Sequence, residues 1–421
     1  MKAINALNHL STTYRSLQHR NYRLFFGGQS ISVIGTWMQQ ITVNWLTYRL
    51  THSSFLLGVV GFSGRITTFF LAPFMGVFID RWNRHRILVI TQILSMIQAL
   101  LLALLVLTDK IAVWYIVSLS LVLGCINSLD QPSRQSFIID MVENKEDLAN
   151  AIALNSSIGT SARFLGPSIA GILIAAVGEG VCFLLDGLSF IAVIMSLLGM
   201  KIKAKKTDKK NAPVWKGIKA GFAYVTGFLP IRAILLLIAL ISLMAMPYTL
   251  LMPVIVKTIL HGDARTYGFL VASAGCGALA AAVFLASRKS VPGLERIISI
   301  NTYLFAIGLI IFSLSNVLWL AIPSLFMAGF GTMASITSCN TVLQTIVEDD
   351  KRGRVMSFFS MAFFGMIPFG SLIACSLAEK IGTQSTIMCC GIICIIGAAT
   401  FSVKLPFISR MLRPIYIKKA F

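Results

Sequence analysis

Charged residues are scarce in this chain of 421 residues, since only 12% are Asp, Glu, Lys or Arg while 56% are apolar. A soluble globular protein carries about twice that charged fraction. The five histidines all fall outside the long apolar stretches, and no nucleophile stands with a base in a pattern typical of catalysis. These absences exclude an ordinary soluble enzyme, and we expect no catalytic residues, no cofactor and no metal site.

Twelve apolar stretches are each long enough to cross about 30 Å of hydrocarbon as an α-helix. They lie at about 24–46, 54–79, 87–108, 112–132, 149–177, 181–200, 231–256, 266–286, 294–314, 317–341, 355–378 and 384–403. The sequence therefore predicts an all-α membrane protein with 12 transmembrane helices.

Acidic residues are rarer than basic ones, with 16 Asp and Glu against 36 Lys and Arg, which gives a formal net charge of +20. With the N-terminus placed inside, 29 basic residues fall in cytoplasmic segments or at their borders and five in outer loops. Loops rich in Lys and Arg remain in the cytoplasm. The basic excess thus predicts a multi-pass protein of the inner (plasma) membrane with both termini cytoplasmic, and it does not indicate a nucleic-acid partner.

A lysine-rich polar run follows the sixth stretch and divides the chain. We predict an N-terminal six-helix half at 1–200, a basic cytoplasmic linker with an amphipathic segment at 201–229, and a C-terminal six-helix half with a basic tail at 230–421. The linker is interpreted as a solvated connection beside the anionic leaflet, with a specific lipid switch as the alternative.

A short internal repeat supports this division. Val142-Glu-Asn-Lys145, between spans four and five, resembles Val347-Glu-Asp-Asp350, between spans ten and eleven. Six spans separate the two motifs, so the halves have the same topology. We therefore predict parallel repeats with a substrate site between them at the membrane midplane.

The loop after span two reads Gly76-Val-Phe-Ile-Asp80-Arg81-Trp-Asn-Arg84. A glycine allows close helix packing, and a carboxylate at a helix end can meet a neighbouring helix N-terminus or a basic residue. The run resembles the loop 2–3 signature of the major facilitator superfamily, Gly-x-x-x-Asp-Arg followed by basic residues. The resemblance implies that Asp80 and Arg81 latch the two halves together; the simpler alternative is a helix cap in a positively charged loop.

Span five carries Arg163-Phe-Leu-Gly166-Pro167, in which the proline bends the helix and the glycine offers a small packing face. It resembles the Gly-Pro signature in span five of exporters of that superfamily, with a kinked packing helix as the alternative. The stretches at 45–51, 127–135, 150–155 and 340–357 extend the resemblance to the branch of enterobactin (siderophore) exporters and macrolide-type efflux proteins. The sequence departs from the wider superfamily in one respect, because span four lacks the arginine that is often associated with proton coupling. This absence weakens the case for proton antiport.

The gate is predicted to involve residues from several loops and from span five. Asp130 and Arg134 stand four residues apart at the end of span four, where an ion pair along one helix is the simplest arrangement. The residues that we assign to the gate and its conformational change are Gly76, Asp80, Arg81, Arg84, Asp130, Arg134, Gly166, Pro167, Arg352 and Arg354.

Two arginines lie deep inside predicted spans, where lipid disfavours them. Arg65 is eleven residues into span two, about 16 Å along a helix, and Arg163 reaches a similar depth in span five from the opposite side. We expect an electropositive cavity that grips anionic compounds through bidentate guanidinium contacts. A scaffold role, in which Arg163 bonds to neighbouring helices, is the alternative.

Polar residues in spans one, five and six complete the predicted site. The stripe Ser32, Thr36, Gln40 and Asn44 shares one face of span one, which either lines water or bonds to neighbouring helices. Asn155 lies two turns before Arg163. Asp186, in span six, is the one acidic residue inside a span away from the cytoplasmic ends, and it is either a proton carrier or the salt-bridge partner of a cavity arginine.

These residues favour a secondary transporter that exports a small amphipathic, anionic molecule, siderophore or drug-like, by alternating access, with proton antiport as one option. Two alternatives are a lysophospholipid flippase of the same fold, in which the arginines hold a phosphate, and a non-transporting sensor derived from it. The expected partners are the small-molecule substrate, the lipid bilayer and, in the antiport option, protons. We expect a monomer.

Overall fold

The computed structural model describes residues 15–142, 147–200, 224–244, 247–288 and 291–418, without the side chains at 72–74, 76–81, 139, 149, 349, 350 and 418. A 3-10 helix at Arg15–Gln18 precedes the long helices. We number these α1 (Arg20–Thr51), α2 (Ser54–Arg81), α3 (Arg84–Leu107), α4 (Val113–Met141), α5 (Leu148–Val177), α6 (Glu179–Leu198), α7 (Leu229–Met244), α8 (Tyr248–Thr258), α9 (Ala264–Ala286), α10 (Leu294–Leu314), α11 (Leu318–Ile346), α12 (Asp349–Phe364), α13 (Met366–Ile381) and α14 (Thr383–Lys418).

The all-α class predicted from the sequence is confirmed. Eleven segments of the described residues are long and apolar enough to cross a membrane, and they coincide with predicted spans two to twelve. The first predicted span lies within α1, which has 32 residues but a lower hydropathy because of its polar stripe. Span seven consists of α7 and α8, and span eleven of α12 and α13. α14 continues well beyond 384–403, so most of the predicted basic tail is helical.

Helix ends follow from local sequence. Gly178, between α5 and α6, and Gly382, between α13 and α14, have φ values of 83° and 86°, which glycine adopts without steric cost. The side chain of Asn83 caps the start of α3, and that of Asp263 caps the start of α9. Such caps satisfy backbone N–H groups that have no partner within their own helix.

Contacts divide the chain into two compact units. Unit 1 comprises Met1–Leu46 and Ile66–Lys209, and unit 2 comprises Thr47–Arg65 and Lys210–Phe421. One boundary falls within the predicted linker, of which 201–223 lie outside the described residues, as do 143–146 of the repeated motif. The first part of α2 belongs to unit 2, although it precedes most of unit 1 in the chain.

In unit 1, an apolar cluster ties α1 to its neighbours near the residue at which α1 begins. Tyr22 and Phe137 are buried in this cluster, together with Leu88 and Leu197. The Tyr22 hydroxyl donates to the carbonyl oxygen of Ala151 at 2.8 Å, which satisfies its polar end. The cluster therefore anchors the ends of α1, α3, α4, α5 and α6.

In unit 2, helix backbones approach closely at glycines. A Cβ atom on Gly277 of α9 would lie 2.0 Å from the carbonyl oxygen of Phe326 of α11, and one on Gly329 of α11 would lie 1.9 Å from that of Ala274 of α9. Any side chain at either position would force the two backbones apart. Small residues permit this kind of helix association in a membrane protein.

Candidate functional site

Arg163 of α5 is an exposed guanidinium inside a predicted span, and Asn155, two turns earlier, is half-buried. The Cζ atom of Arg163 lies 5.1 Å from the centroid of the Trp37 ring of α1, in cation–π geometry. Because hydrocarbon solvates a guanidinium poorly, we expect an exposed arginine in a span to face water or a polar group. The pair presents a cation beside an aromatic face.

Gly166 explains why α1 lies so close to α5 at this point. A Cβ atom there would lie 2.5 Å from the Cβ of Trp37 and 3.1 Å from the carbonyl oxygen of Ile34. Pro167 follows within the same helix, where it removes one backbone N–H donor. Gly166 of the Gly-Pro pair thus permits the close approach of α1 to α5, beside which the Trp37 ring meets Arg163.

The polar stripe of α1 is divided between buried and accessible positions: Ser32 and Asn44 are buried, Gln40 is half-buried and Thr36 is exposed. The Thr36 hydroxyl donates to the carbonyl oxygen of Ser32 at 3.0 Å, a bond within the helix. Gln39, which lies next to the stripe, forms a hydrogen bond to a neighbouring helix: its Nε2 donates to Gln98 Oε1 of α3 at 2.8 Å. Only part of the stripe is therefore accessible within its unit.

Asp186 of α6 is fully buried and lies against Gly35 of α1. A Cβ atom on Gly35 would lie 2.5 Å from Asp186 Oδ1 and 2.8 Å from Ser189 Oγ, so the glycine leaves room for the carboxyl group. Neither carboxyl oxygen has a hydrogen-bond partner among the described residues. Because an unpaired buried carboxylate is costly, this environment suits the neutral acid.

Arg65 of α2 is half-buried and is the last residue of the segment that belongs to unit 2, whereas Arg163 belongs to unit 1. It follows Ser54, the first residue of α2, by about 16 Å of helix at 1.5 Å per residue. The observed start of α2 coincides with the start of predicted span two, and each unit carries one of the two guanidiniums that lie deep inside predicted spans.

Asp130, near the end of α4, is a buried carboxylate held by three donors. Thr91 Oγ1 and Gln92 Nε2 of α3 each donate to Oδ1 at 2.8 Å, and Arg134 bonds to Oδ2. The ion pair predicted from the spacing of Asp130 and Arg134 is confirmed. The two α3 partners had no local signal in the sequence, because they lie 39 and 38 positions away.

Arg84, at the start of α3, also links α3 to α4. Its Nη1 atom lies 3.2 Å from Asp140 Oδ2 and 3.5 Å from the carbonyl oxygen of Ser136. Sequence reasoning missed Asp140 as a partner. The side chains of the other motif residues, Gly76, Asp80 and Arg81, lie outside those that the structure describes.

A second cluster that sequence reasoning missed surrounds Asp147, just before α5. Arg15 Nε lies 3.2 Å from Asp147 Oδ1, and His19 Nε2 lies 3.0 Å from Oδ2. The Ser16 hydroxyl donates to Asn150 Oδ1 at 2.7 Å. The basic residues before α1 indicated topology alone in the sequence, yet these contacts join them to the start of α5.

The predicted gate residues of unit 2 lie at the start of α12, where Arg352 is half-buried and Arg354 is exposed. Lys351 forms an ion pair with Glu348 three positions earlier, and its Nζ lies 4.7 Å from the centroid of the Tyr224 ring. Lys351 thus makes one local contact, with Glu348, and one with a distant residue, Tyr224.

Comparisons with known proteins place these features in a wider group. Residues 11–414 match the family of transmembrane secretion effectors. The staphyloferrin A transporter of Staphylococcus aureus (strain NCTC 8325 / PS 47) is 26% identical over 376 residues, covering 89% of this chain and 94% of that protein. Macrolide efflux protein A of Streptococcus pyogenes is 20% identical over 397 residues, covering 90% and 96%.

Solved structures share the fold at low sequence identity. The nucleoside transporter NupG superposes with a TM-score of 0.71 at 12% identity, covering 92% of this chain and 99% of that one. A bacterial homologue of the human lysosomal transporter Spinster gives a TM-score of 0.69 at 14% identity, covering 94% and 98%. These identities support similarity of fold alone.

Proposed function

The chain belongs to the transmembrane secretion effector family, within the major facilitator superfamily, and we propose that it exports a small amphipathic, anionic molecule by alternating access. It is a multi-pass membrane transporter with a small-molecule substrate. The proposal adds the direction, the anionic character of the substrate, and an orientation in the plasma membrane with both termini cytoplasmic.

The observation that carries the proposal is the exposed Arg163 beside Trp37. A guanidinium can bind a carboxylate through two parallel hydrogen bonds, which a lysine cannot match. The indole ring adds an apolar surface for the rest of an amphipathic molecule. Arg65, in unit 2, is a second guanidinium deep inside a predicted span.

Export is favoured over uptake by the known relatives. One is named a staphyloferrin A transporter and another a macrolide efflux protein. The first name denotes a siderophore carrier and the second the removal of a drug.

The first step of the test is to identify the exported compound. Mass spectrometry of the medium from a deletion strain and its parent should identify a molecule that only the parent releases. Its export is then measured with Arg163→Ala, Arg163→Lys and the control Arg265→Ala, an exposed arginine at the start of α9. We expect Arg163→Ala to lower export about tenfold or more, because a hydrogen bond to a charged group is lost.

Arg163→Lys should recover part of that loss, while Arg265→Ala should export at the normal rate. Full export by Arg163→Ala, at normal protein levels, would contradict the substrate role and leave Arg163 as a scaffold residue. Transport of a lysophospholipid in reconstituted vesicles, with no compound missing from the medium, would instead favour the flippase.

Proton antiport is the finer part of the proposal, and Asp186 is the residue to which we assign it. Its buried carboxyl group lies against Gly35 and has no hydrogen-bond partner among the described residues. A neutral acid in such a place can release its proton only when the surroundings change, as they do during alternating access.

Proteoliposomes with an imposed pH gradient test this assignment. We expect Asp186→Asn to export at a rate that no longer depends on the gradient, whereas Asp109→Asn, in the exposed turn after α3, keeps the dependence. Asparagine has nearly the same shape as aspartic acid, so the fold should be retained. A gradient dependence that survives in Asp186→Asn would remove this residue from the coupling.

A further inference from the structure

The first turn of α2 is capped by a carboxylate from a distant part of the chain. The backbone N–H groups of Ser54 and Phe55 donate to Glu379 Oε2 at 2.8 and 3.1 Å, across 325 and 324 positions. The Ser53 hydroxyl donates to Oε1 at 3.3 Å and accepts from the N–H of Leu56 at 3.3 Å. The first N–H groups of a helix have no partner within it, so α13 supplies part of the cap of α2.

A continuous contact follows this cap along the two helices. One turn into α2, a Cβ atom on Gly58 would lie 2.6 Å from the Cβ of Cys375 and 3.1 Å from the carbonyl oxygen of Ser371. One turn further, the Phe62 ring meets the Phe369 ring edge-on, with centroids 6.1 Å apart. We call this contact, from the cap at Glu379 to the Phe62–Phe369 pair, the α2–α13 seam.

The seam lies within unit 2, which includes Thr47–Arg65, while the rest of α2 belongs to unit 1. If the two units move during transport, either α2 must bend near Arg65 or the seam must open. Bending would break backbone hydrogen bonds inside a span, where water cannot replace them. The seam ends instead in an exposed carboxylate, which water can solvate when the cap is lost.

We propose that Glu379 is a positioning residue that latches the first part of α2 to α13, and that this latch opens once in every transport cycle. The proposal rests on alternating access as proposed above. In the predicted orientation the latch lies at the outer end of both helices, opposite the Asp80–Arg81 motif. The cap holds the seam closed, and its loss frees α2 to leave α13.

The buried thiol of Cys375 reports the opening of the seam. It is fully buried next to Gly58, so a membrane-impermeant maleimide added to the outer side reacts with it only when the seam opens. Peptide mass spectrometry separates its labelling from that of the other cysteines. The variants are Glu379→Ala, Glu379→Gln and the control Lys380→Ala, the exposed neighbour in the same turn.

We expect Cys375 to be labelled about fivefold faster in Glu379→Ala, as the loss of a helix cap implies. Glu379→Gln keeps one acceptor oxygen, so its labelling rate should lie between those of Glu379→Ala and the unaltered protein. Lys380→Ala should be labelled at the rate of the unaltered protein. Equal thermal midpoints of the four proteins would exclude general unfolding. Labelling of folded Glu379→Ala at the normal rate would overturn the proposal.

A thiol-specific cross-link tests whether the latch must open. Ser54→Cys and Glu379→Cys are combined and joined by a short reducible linker, with each single variant as a control. We expect the linked protein to stop exporting and to recover after reduction, whereas continued export by the linked protein would overturn the proposal. The labelling experiment needs no substrate, so it decides the role of Glu379 even if the export proposal fails.

Discussion

The two units hold their helices together by different means. In unit 1, ionised side chains link one helix to another, as Asp130 and Arg84 do between α3 and α4. In unit 2, helix backbones meet at glycines such as Gly277 and Gly329. A hydrogen-bonded link exchanges partners with water and re-forms, whereas a backbone contact depends on steric fit. The polar links between α3 and α4 in unit 1 can therefore be remade, whereas the glycine contacts between α9 and α11 in unit 2 must be preserved.

The steric fit of unit 2 is broken most severely by Gly329→Ala. The new methyl group would lie 1.9 Å from the carbonyl oxygen of Ala274, so α9 and α11 must separate. We expect the free energy of unfolding to fall by about 3 kcal/mol or more. The thermal midpoint of the purified protein in detergent measures the loss.

Two glycines provide controls for this experiment. Gly353, within α12, has no atom within 4 Å of the position of a Cβ, so Gly353→Ala should not lower the midpoint. At Gly187 in unit 1 the nearest atom is the flexible Leu100 Cδ2 at 2.7 Å, so Gly187→Ala should cost less. Equal losses for Gly187→Ala and Gly329→Ala would remove the distinction between the units.

The polar links of unit 1 are tested by Asp130→Ala. The change leaves Thr91, Gln92 and Arg134 without their shared acceptor, and we expect a loss of about 2 kcal/mol in the free energy of unfolding. The double variant with Arg134→Ala should lose less than the sum of the two single changes. Additive losses would show that the two side chains do not stabilise each other.

The smallest effect is expected from Asp263→Ala, which removes the side chain that caps the start of α9 in unit 2. The backbone N–H of Thr266 bonds to this carboxylate and holds its pKa below the usual value. Losing the cap should cost about 1 kcal/mol at pH 7. Because the folded state favours the ionised form, this contribution is full above the unfolded pKa, about 3.9, and disappears as the pH falls through the lowered folded pKa.

Thermal midpoints of Asp263→Ala and the unaltered protein, measured at pH 7 and at decreasing pH, check this expectation. The difference between them should shrink in acid, and Asp263→Asn, which still caps a helix, should show a smaller difference at pH 7. A difference that stays constant with pH would mean that the charge of Asp263 is not involved.

Local patterns in the sequence predicted the helices and the Asp130–Arg134 pair, because hydropathy and a spacing of four residues act within one helix. They did not predict Asp140 as the partner of Arg84, which lies 56 positions away. Nor did they single out Glu379, which meets Ser54 across 325 positions. Only the packing of distant helices creates such contacts. The sequence showed that Asp186 lies inside span six. It did not show that Gly35 faces this carboxyl group, because a glycine can pack against many kinds of side chain.

α2 makes contacts in both units, so the number of residues between these contacts matters. Gly58 meets α13 in unit 2, and the Thr68 hydroxyl donates to the carbonyl oxygen of Gly124 of α4, at 2.9 Å, in unit 1. Because an α-helix turns about 100° per residue, one residue inserted after Arg65 would rotate one of these contacts away from its partner. An insertion of four residues would restore the direction to within about 40°. The number of residues between Gly58 and Thr68 is therefore constrained by both contacts.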